Sequence, residues 1–169
     1  MLPIIETFTA DKLAETQSFL RIALRDDDYP LDFDTRDSDL KDIADHYQNK
    51  GGEFWLLLAG NGKSVAGCIG LERINDDTLE LRRFVVQGAM RNHGFGERLL
   101  LTALGYAEQA DCKRIRLHLP ADSQAALHLL RKHRFHEIRR FNNDQRSAHF
   151  FEHWIQAGSV GRTAGSGSN

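Results

Sequence analysis

The sequence contains no apolar run that approaches the roughly 20 residues needed to cross a bilayer. Only two cysteines occur among its 169 residues, and their isolated positions fit no zinc-binding or redox spacing. A net charge of −2 argues against the basic surface that nucleic-acid binding requires. The amino end lacks the basic start and long apolar stretch of a signal peptide. We therefore expect a cytoplasmic protein with neither a nucleic-acid nor a membrane partner.

The spacing of apolar residues predicts one mixed α/β domain over residues 1–156. The predicted order is strand, two helices, three meandering strands, helix, strand, helix and two strands. This gives a mostly antiparallel sheet of about six to seven strands flanked by about four helices. The second helix is predicted to begin at Ser38 and to end before Gly51, and the last two strands cover 136–141 and 149–155. Residues 157–169 are rich in glycine and serine, which predicts a disordered tail.

A glycine-rich loop joins the fourth predicted strand to the third predicted helix. Residues 85–100 read VVQGAMRNHGFGERLL. A helix N-terminus carries unpaired N–H groups and a partial positive charge, and glycines at 94 and 96 keep side chains away from them. Arg91 can add a charge-assisted contact. The loop indicates a phosphate or pyrophosphate site, with an ordinary strand-to-helix turn as the alternative.

Two common phosphate motifs do not fit this chain. The dinucleotide fingerprint requires a third glycine where Leu99 stands. Gly62-Lys63-Ser64 looks like the end of a P-loop, but its first glycine would fall at Leu57, inside a predicted strand. The glycine-rich loop therefore needs a different explanation.

From Leu79 to Gly96 the chain resembles motif A of the GNAT superfamily of acyl-CoA N-acyltransferases. The likeness consists of a strand ending in valine, followed by R-x-x-G-x-G from Arg91 and a leucine-rich helix. It implies the GNAT fold and acetyl transfer from acetyl-CoA to a primary amine, of a small molecule or a protein, by direct attack in a ternary complex. Homodimers are common in the family. The implied cofactor-binding residues are Phe84, Val85, Val86, Arg91, Asn92, His93, Gly94, Phe95, Gly96 and Ser123.

Two residues are candidates for the base that the reaction needs. Glu80 lies six positions before Val86, where the histone-acetylating branch of the family carries its catalytic glutamate. On a regular strand, Glu80 shares a face with Arg82, Phe84 and Val86; the alternative is that it pairs with a neighbouring arginine. His118, near the end of the fifth predicted strand, is the second candidate, with a surface histidine as the alternative.

The chain departs from the family pattern in its last predicted helix. Leu130 stands where many relatives have a tyrosine that protonates the departing thiolate, so a non-catalytic acyl-CoA-binding module is the alternative function. The resemblance also places the acidic segment between the first two helices at the acceptor site. The aspartates that would favour a cationic amine there are Asp26, Asp27, Asp28, Asp32 and Asp34, with a solvated loop as the alternative. The implied acceptor-site residues are Asp28, Tyr29 and Phe33.

One further motif carries metal chemistry in other proteins. His149 to His153 spells H-x-x-E-H, which binds zinc in some peptidases when it lies on a helix. Aromatic and polar residues alternate here, which is the pattern of a strand. We therefore predict a closing strand and no metal.

Overall fold

The computed structural model describes residues 2–25 and 30–156. They form one mixed sheet with helices on both faces. The strand order is β1-β2-β3-β4-β5-β7-β6, and β4 and β5 are parallel whereas the other neighbours are antiparallel. The strands are β1 (Ile4–Thr7), β2 (Glu53–Ala59), β3 (Ser64–Arg73), β4 (Thr78–Val86), β5 (Arg114–Leu119), β6 (His136–Glu137) and β7 (His149–Trp154). The helices are α1 (Leu13–Ala23), α2 (Ile43–His46), α3 (Phe95–Gln109) and α4 (Gln124–Lys132).

The sheet separates two apolar cores. The larger core lies under α3 and α4 and takes in five buried residues of α3 together with Leu127 and Leu130 of α4. The smaller core lies under α1 and α2 and includes Leu20, Ile43 and Tyr47. Alternate residues of the strands fill the two cores in turn, as the period of a strand requires. The predicted mixed α/β architecture is confirmed, with seven strands and four helices.

A bulge interrupts this alternation in β4. Cys68 pairs with Val85 and Gly70 pairs with Arg82, so one residue of β3 faces two residues of β4. The backbone of Arg83 takes up the difference with φ 56°, a left-handed conformation that a side chain with a Cβ rarely adopts. Side chains beyond the bulge therefore turn to the face opposite to the one that a regular strand gives them.

The pairing of β4 with β5 covers only the first third of β4 and the first half of β5. It covers residues 78–80 of β4 and residues 114–116 of β5, although β4 continues to Val86 and β5 to Leu119. We call the unpaired ends, 81–86 and 117–119, the β4–β5 gap. On the β5 side, every residue from Arg114 to Leu119 still pairs with β7. The gap therefore exposes backbone groups of β4 in the middle of the sheet.

The predicted second helix is broken into three short pieces. A 3-10 turn over Ser38–Leu40 comes first, then the four residues of α2, then a 3-10 turn over Gln48–Lys50. Asp42 has an extended backbone, and its side chain accepts a hydrogen bond from the N–H of Asp45 at 3.0 Å. This is an N-cap, so a new helix begins here instead of continuing from Ser38. The predicted stop at Gly51 is confirmed by its φ of 84°.

The sixth strand is shorter than predicted. It covers only His136–Glu137, and the N–H of Ile138 adds one more bond to the carbonyl of Phe150 at 2.8 Å. Beyond it, the guanidinium of Arg140 donates to the carbonyls of Asp144 and Ser147 at 2.9 and 2.7 Å. These bonds fold the chain into a loop over residues 138–148, so the strand ends. The predicted tail, 157–169, lies outside the described residues.

Within 2–25 and 30–156, no helix has the length and apolar character that crossing a membrane takes.

Candidate active site

The loop before α3 is open toward its outer side. Gly94 has φ 80° and Asn92 has φ 63°, and a 3-10 turn over Gly88–Met90 precedes them. A Cβ at Gly94 would meet no heavy atom within 4 Å. The first N–H groups of α3 have no partner within the helix and carry the positive end of its dipole. The geometry thus provides the unobstructed helix start that an anion site requires.

The first turn of α3 packs on the end of β4. A Cβ at Gly96 would lie 3.6 Å from a ring carbon of Phe84 and 3.8 Å from Cγ2 of Val86. Phe84 and Val86 pack against the core under α3, whereas the side chain of Val85 lies in the core under α1. Of these three predicted cofactor residues, Val85 can therefore offer only its backbone on the α3 side.

Arg91 lies against β4 and not over the start of α3. Its Nε donates to the carbonyl of Val86 at 3.1 Å, and its backbone N–H donates to the carbonyl of Gly88 at 3.2 Å. The sequence predicts that the guanidinium and the backbone N–H of Arg91 face an anion. His93 is exposed, and Phe95 is partly buried in the core under α3. The remaining N–H groups for an anion are those that follow Arg91.

Ser123 stands at the entrance to α4, beyond the end of β5. It is partly exposed, and its hydroxyl makes no capping bond to the helix, so this group can serve a ligand that lies along the β4–β5 gap. Leu130 is only 2% exposed and belongs to the core under α3 and α4. The place of the usual tyrosine is therefore filled by apolar packing.

Glu80 is a buried carboxylate at the last paired position of β4. Its Oε2 accepts a hydrogen bond from Nε of Arg116, the residue directly across on β5, at 3.0 Å. Its Oε1 lies 3.6 Å from Nε2 of His118. Burial alone raises the pKa of Glu80, but the contact with His118 and the charge and hydrogen bond of Arg116 outweigh it, so the pKa lies below its ordinary value. Glu80 is therefore ionised at neutral pH.

His118 is enclosed beside Glu80. Its Nδ1 lies 2.5 Å from Oγ of Ser147. The imidazole stacks on Phe150 and meets the edge of Phe141, with both ring centroids 5.9 Å away. The surface-histidine alternative does not describe this environment. The structure brings the two predicted base candidates, Glu80 and His118, into one cluster.

The prediction that Glu80, Arg82, Phe84 and Val86 share one face of β4 is wrong for the two residues beyond the bulge. Arg82 keeps the face of Glu80 and donates to Oε2 of Glu72 at 2.8 Å. Phe84 and Val86 turn toward α3 because the bulge inserts one residue. Consequently the carboxylate of Glu80 and the side chains of Phe84 and Val86 lie on opposite sides of the sheet, with the β4–β5 gap between them.

A family model places this site among known proteins. The model of the acetyltransferase (GNAT) family matches residues 19–135, which is more than half of the chain. The chain belongs to the GNAT acetyltransferase family. It is accordingly an acyl-CoA-dependent N-acyltransferase. No curated protein sequence matches it closely enough to count as a relative.

Solved structures of GNAT proteins share the fold. A GNAT acetyltransferase from Staphylococcus aureus superposes with a TM-score of 0.81 at 24% identity, covering 91% of this chain and 99% of that one. A phosphinothricin acetyltransferase from Sinorhizobium meliloti, in complex with AcCoA, has a TM-score of 0.74 at 14% identity and coverages of 98% and 95%. NAA60 from Arabidopsis thaliana, in complex with a bisubstrate analogue, has a TM-score of 0.70 at 12% identity, with coverages of 92% and 99%. At these identities, the likeness concerns the fold.

Part of the acidic segment of this GNAT chain is neutralised internally. Asp37 and Asp39 are each 2% exposed. Nη2 of Arg83 donates to Asp37 Oδ1 at 3.0 Å and to Asp39 Oδ1 at 2.6 Å, and the hydroxyl of Tyr47 donates to Asp39 Oδ2 at 2.5 Å. Burial alone raises the pKa of Asp39, but the hydrogen bond and charge of Arg83 outweigh it and lower the pKa. These two carboxylates anchor the segment to β4 and are not available to a cationic amine.

The predicted acceptor-site residues lie in the same segment. Phe33 is partly buried under the guanidinium of Arg21, whose Cζ lies 4.2 Å from the ring centroid. The side chain of Asp32 accepts bonds from the N–H of Asp34 and the hydroxyl of Thr35. Asp28 and Tyr29 lie outside the described residues.

A groove of about 440 Å³ runs between the second half of α1 and the end of β4. Phe19 and Ile22 of α1 line one side, and Val86, Gly88 and Arg91 line the other. It lies on the same side of the sheet as the acidic segment. The groove therefore borders the part of β4 where the cofactor residues were predicted.

The H-x-x-E-H motif forms the strand β7, as predicted. Its members have protein partners: His149 Nδ1 lies 2.8 Å from Glu137 Oε1, and Glu152 accepts bonds from Arg114 and His136. Over 2–25 and 30–156, no group of three or more His, Cys, Asp or Glu side chains has the arrangement of a metal site. The helical geometry of the zinc motif is absent from β7.

Sequence reasoning missed Arg116 and Ser147 as members of the Glu80 cluster. Arg116 could have been found, because it alternates with the apolar residues of β5 on the face of His118, and adjacent parallel strands bring such residues together. Ser147 carries no such signal, since it lies in the 138–148 loop whose course depends on tertiary contacts.

Proposed function

We propose that this GNAT protein transfers the acetyl group of acetyl-CoA to a primary amine of a small molecule or a protein, by direct attack in a ternary complex. One observation carries the proposal: the β4–β5 gap lies between the open start of α3 on one face and the carboxylate of Glu80 on the other. Donor and acceptor can then reach the same point from opposite sides of the sheet.

The residues around the gap fit acetyl-CoA as the donor. The N–H groups at residues 92–97 suit its diphosphate, and Gly94 leaves room because a Cβ there would meet nothing within 4 Å. The exposed backbone of β4 from Phe84 to Val86 can bond the pantetheine amides as a neighbouring strand would. The hydroxyl of Ser123 can add a hydrogen bond. When bound, acetyl-CoA supplies an acyl group activated by a thiol leaving group.

Glu80 suits the role of proton acceptor for the amine. A primary amine attacks only as the free base, yet alkylamines are mostly protonated near neutral pH. The buried, ionised carboxylate of Glu80 attracts the ammonium form and can accept its proton through one water molecule, although the lowered pKa makes Glu80 a weaker base than an ordinary carboxylate. His118 and Arg116 hold this carboxylate in place from the β5 side. Holding the two reactants together contributes further, up to roughly 7–11 kcal/mol.

The acceptor approaches, in this proposal, from the side of α1 and α2. Glu80 faces that side, and the segment that contains Asp28, Tyr29 and Phe33 lies between those two helices. Because Asp37 and Asp39 are paired with Arg83, selectivity for a cationic amine rests on Glu80 and on the aspartates of 26–28. A small apolar or amphipathic amine also matches the groove lined by Phe19 and Ile22.

Thiol release from acetyl-CoA across a panel of amines tests the proposed function. With an accepted amine, Glu80→Gln should lower kcat by about 10²-fold, the lower end of the contribution of a positioned base. The affinity for acetyl-CoA, measured by calorimetry, should stay within about twofold. Glu72→Gln is the matched control, because Glu72 lies directly opposite Glu80 on β3 but bonds Arg82 and His46 instead. A kcat for Glu80→Gln within about twofold of the wild type would remove Glu80 as the base.

The rival function is a non-catalytic acyl-CoA-binding module. It is favoured by Leu130, which cannot protonate a departing thiolate. A thiol with an ordinary pKa near 8.5 is a fair leaving group without help, so the replacement does not prevent transfer. Tight binding of acetyl-CoA with no thiol release on any amine of the panel would support the module.

A further inference from the structure

Ser147 is buried next to the proposed catalytic cluster and is held there by its backbone. Only 4% of the surface of Ser147 is exposed. The N–H of Ser147 donates to the carbonyl of Asp144 at 3.2 Å, and its own carbonyl accepts from Arg140 at 2.7 Å. The next residue, Ala148, donates to the carbonyl of Leu119 at the end of β5 at 2.9 Å. These bonds fix the position of the hydroxyl relative to β5.

The hydroxyl of Ser147 has one clear partner. Its Oγ lies 2.5 Å from Nδ1 of His118, while Nε2 on the other side of the ring lies 3.6 Å from Oε1 of Glu80. Phe141 and Phe150 cover the ring from two sides. Each ring nitrogen therefore faces one polar group, and the aromatic side chains restrict rotation of the ring.

For a neutral imidazole, hydrogen-bond accounting favours one arrangement of protons. The carboxylate of Glu80 can only accept, and a neutral imidazole carries its N–H on one nitrogen. With the N–H on Nε2, His118 points it at Glu80, and Nδ1 accepts from the hydroxyl of Ser147. With the N–H on Nδ1, a lone pair on Nε2 would face the negative charge of Glu80. The first arrangement satisfies every group.

We propose that Ser147 is a positioning residue for the acetyl transfer, because its hydroxyl fixes the orientation of the His118 ring, so that Nε2 faces Glu80 and helps to hold its carboxylate aimed at the amine. This inference rests on the proposed function. The contact of 3.6 Å between Nε2 and Oε1 is longer than a hydrogen bond, and we expect it to shorten when the acceptor binds. Ser147 itself touches neither reactant.

Ring ¹⁵N NMR of His118 tests the tautomer directly. In the wild type, the spectrum should show the N–H on Nε2. Ser147→Ala should lose this single state, since a ring that is no longer held at Nδ1 can rotate and present either nitrogen to Glu80, whereas Ser147→Thr should keep it because the hydroxyl remains. The same tautomer in the wild type and in Ser147→Ala, or an N–H on Nδ1 in the wild type, overturns the proposal. This readout needs no turnover, so it stands even if the proposed transferase activity fails.

Steady-state kinetics test whether the Ser147 hydroxyl contributes to kcat through His118. Ser147→Ala should lower kcat about tenfold, a fraction of the 10²–10⁴ that a positioned acid–base group supplies, and leave the affinity for acetyl-CoA within about twofold. Ser147→Thr should recover most of kcat. In a His118→Gln background, Ser147→Ala should have no further effect, because the route through His118 is already lost. An additional tenfold loss in that background would assign Ser147 a merely structural role.

The two proposals fail in different ways. If the wild-type protein binds acetyl-CoA but no amine of the panel gives thiol release, the transferase function is contradicted. The NMR result then tests only the contact between Ser147 and His118. An active wild type whose Ser147→Ala variant retains full kcat contradicts only the positioning role. If Ser147→Ala does not fold, Ser147→Cys offers a side chain of similar size with a much weaker donor and should show the same direction of change.

Discussion

Arg83 combines a left-handed backbone with a buried, doubly paired side chain. Its φ of 56° is a conformation that costs a residue with a Cβ about 1–2 kcal/mol. Its guanidinium bonds Asp37 and Asp39, and these contacts raise the pKa of Arg83 although burial opposes them. The ion pairs thus stabilise a backbone geometry that is unfavourable in isolation. The bulge at Arg83 in turn decides which face Phe84 and Val86 occupy.

Two substitutions at Arg83 separate the ion pairs from the backbone strain. Arg83→Ala should destabilise the fold by up to about 3–5 kcal/mol, because it removes the main cationic partner of two buried carboxylates. Asp39 keeps Tyr47 as a partner, however, and Asp37 keeps Arg36. Arg83→Gly should be about 1 kcal/mol less destabilised than Arg83→Ala, since glycine adopts a positive φ without steric cost. Urea unfolding with unchanged m-values measures both. If the glycine variant is the less stable of the two, the bulge is not strained.

At single positions, sequence reasoning finds the residue types but not their partners. The family resemblance predicts Glu80, which stands where the histone-acetylating branch carries its catalytic glutamate, and the place on the fifth strand predicts His118. Neither the pairing with Arg116 nor the contact with Ser147 follows from spacing, because both depend on which strands lie side by side. The buried pairs of Asp37 and Asp39 were also missed, since a run of aspartates ordinarily indicates a solvated surface.

Elements are predictable where one periodicity continues without interruption. The structure confirms the predicted order of helices and strands, and β7 lies within one residue of its predicted bounds. The prediction of a continuous second helix is wrong because Asp42 caps a new turn, and β6 is short because Arg140 bonds the following loop. The bulge in β4 was missed because an alternating pattern is read with a fixed period of two.

The role of the left-handed turn before α3 can be tested by substituting Gly94, with Gly105 inside α3 as the control. Gly94 and Gly105 both leave open space for a Cβ, but only Gly94 has a positive φ, of 80°. Gly94→Ala should therefore distort the loop and weaken acetyl-CoA binding by about tenfold, or 1.4 kcal/mol. Gly105→Ala, inside α3, should raise stability by roughly 0.5–1 kcal/mol and leave the affinity unchanged. Calorimetric titration and urea unfolding give both quantities.

Two results would contradict the proposed role of Gly94 in the diphosphate site. An unchanged affinity for acetyl-CoA in Gly94→Ala would mean that the left-handed turn does not shape the diphosphate site. Gly94→Glu extends the series, because it adds a carboxylate where a negatively charged diphosphate is expected, and it should abolish binding. If both variants bind normally, the donor site lies elsewhere.

On the scale of the whole molecule, the sheet is joined in its middle by only three residue pairs. Strands β1 to β4 form one antiparallel group, and β5 to β7 form another, with the parallel contact of residues 78–80 and 114–116 between them. The core under α3 and α4 adds apolar contacts across this junction. In addition, Glu97 of α3 lies 2.7 Å from Lys132, the last residue of α4, and 2.7 Å from the following His133. A ligand in the β4–β5 gap would therefore bridge two halves of the fold.

Bridging predicts a specific pattern of stabilisation by acetyl-CoA. At a ligand concentration about 100 times Kd, binding should add about 2.7 kcal/mol to the free energy of unfolding, which raises Tm by about 5–10 °C for a chain of this size. Hydrogen exchange should slow at the amides of 83–86, 117–119 and 92–97, which lie in the gap and at the start of α3. The amides of β1 and β2, at the far edge of the sheet, should slow no more than the gain in global stability requires.

A fragment of the donor locates the source of this protection. Adenosine 3′,5′-diphosphate carries adenine, ribose and phosphates but no pantetheine arm, so it should protect 92–97 and leave the gap amides at 83–86 and 117–119 unchanged. Acetyl-CoA should protect both regions, because only the arm enters between the strands. If acetyl-CoA protects 92–97 alone, the arm does not lie in the gap, and Glu80 is then on the wrong side of the sheet to act on the acceptor.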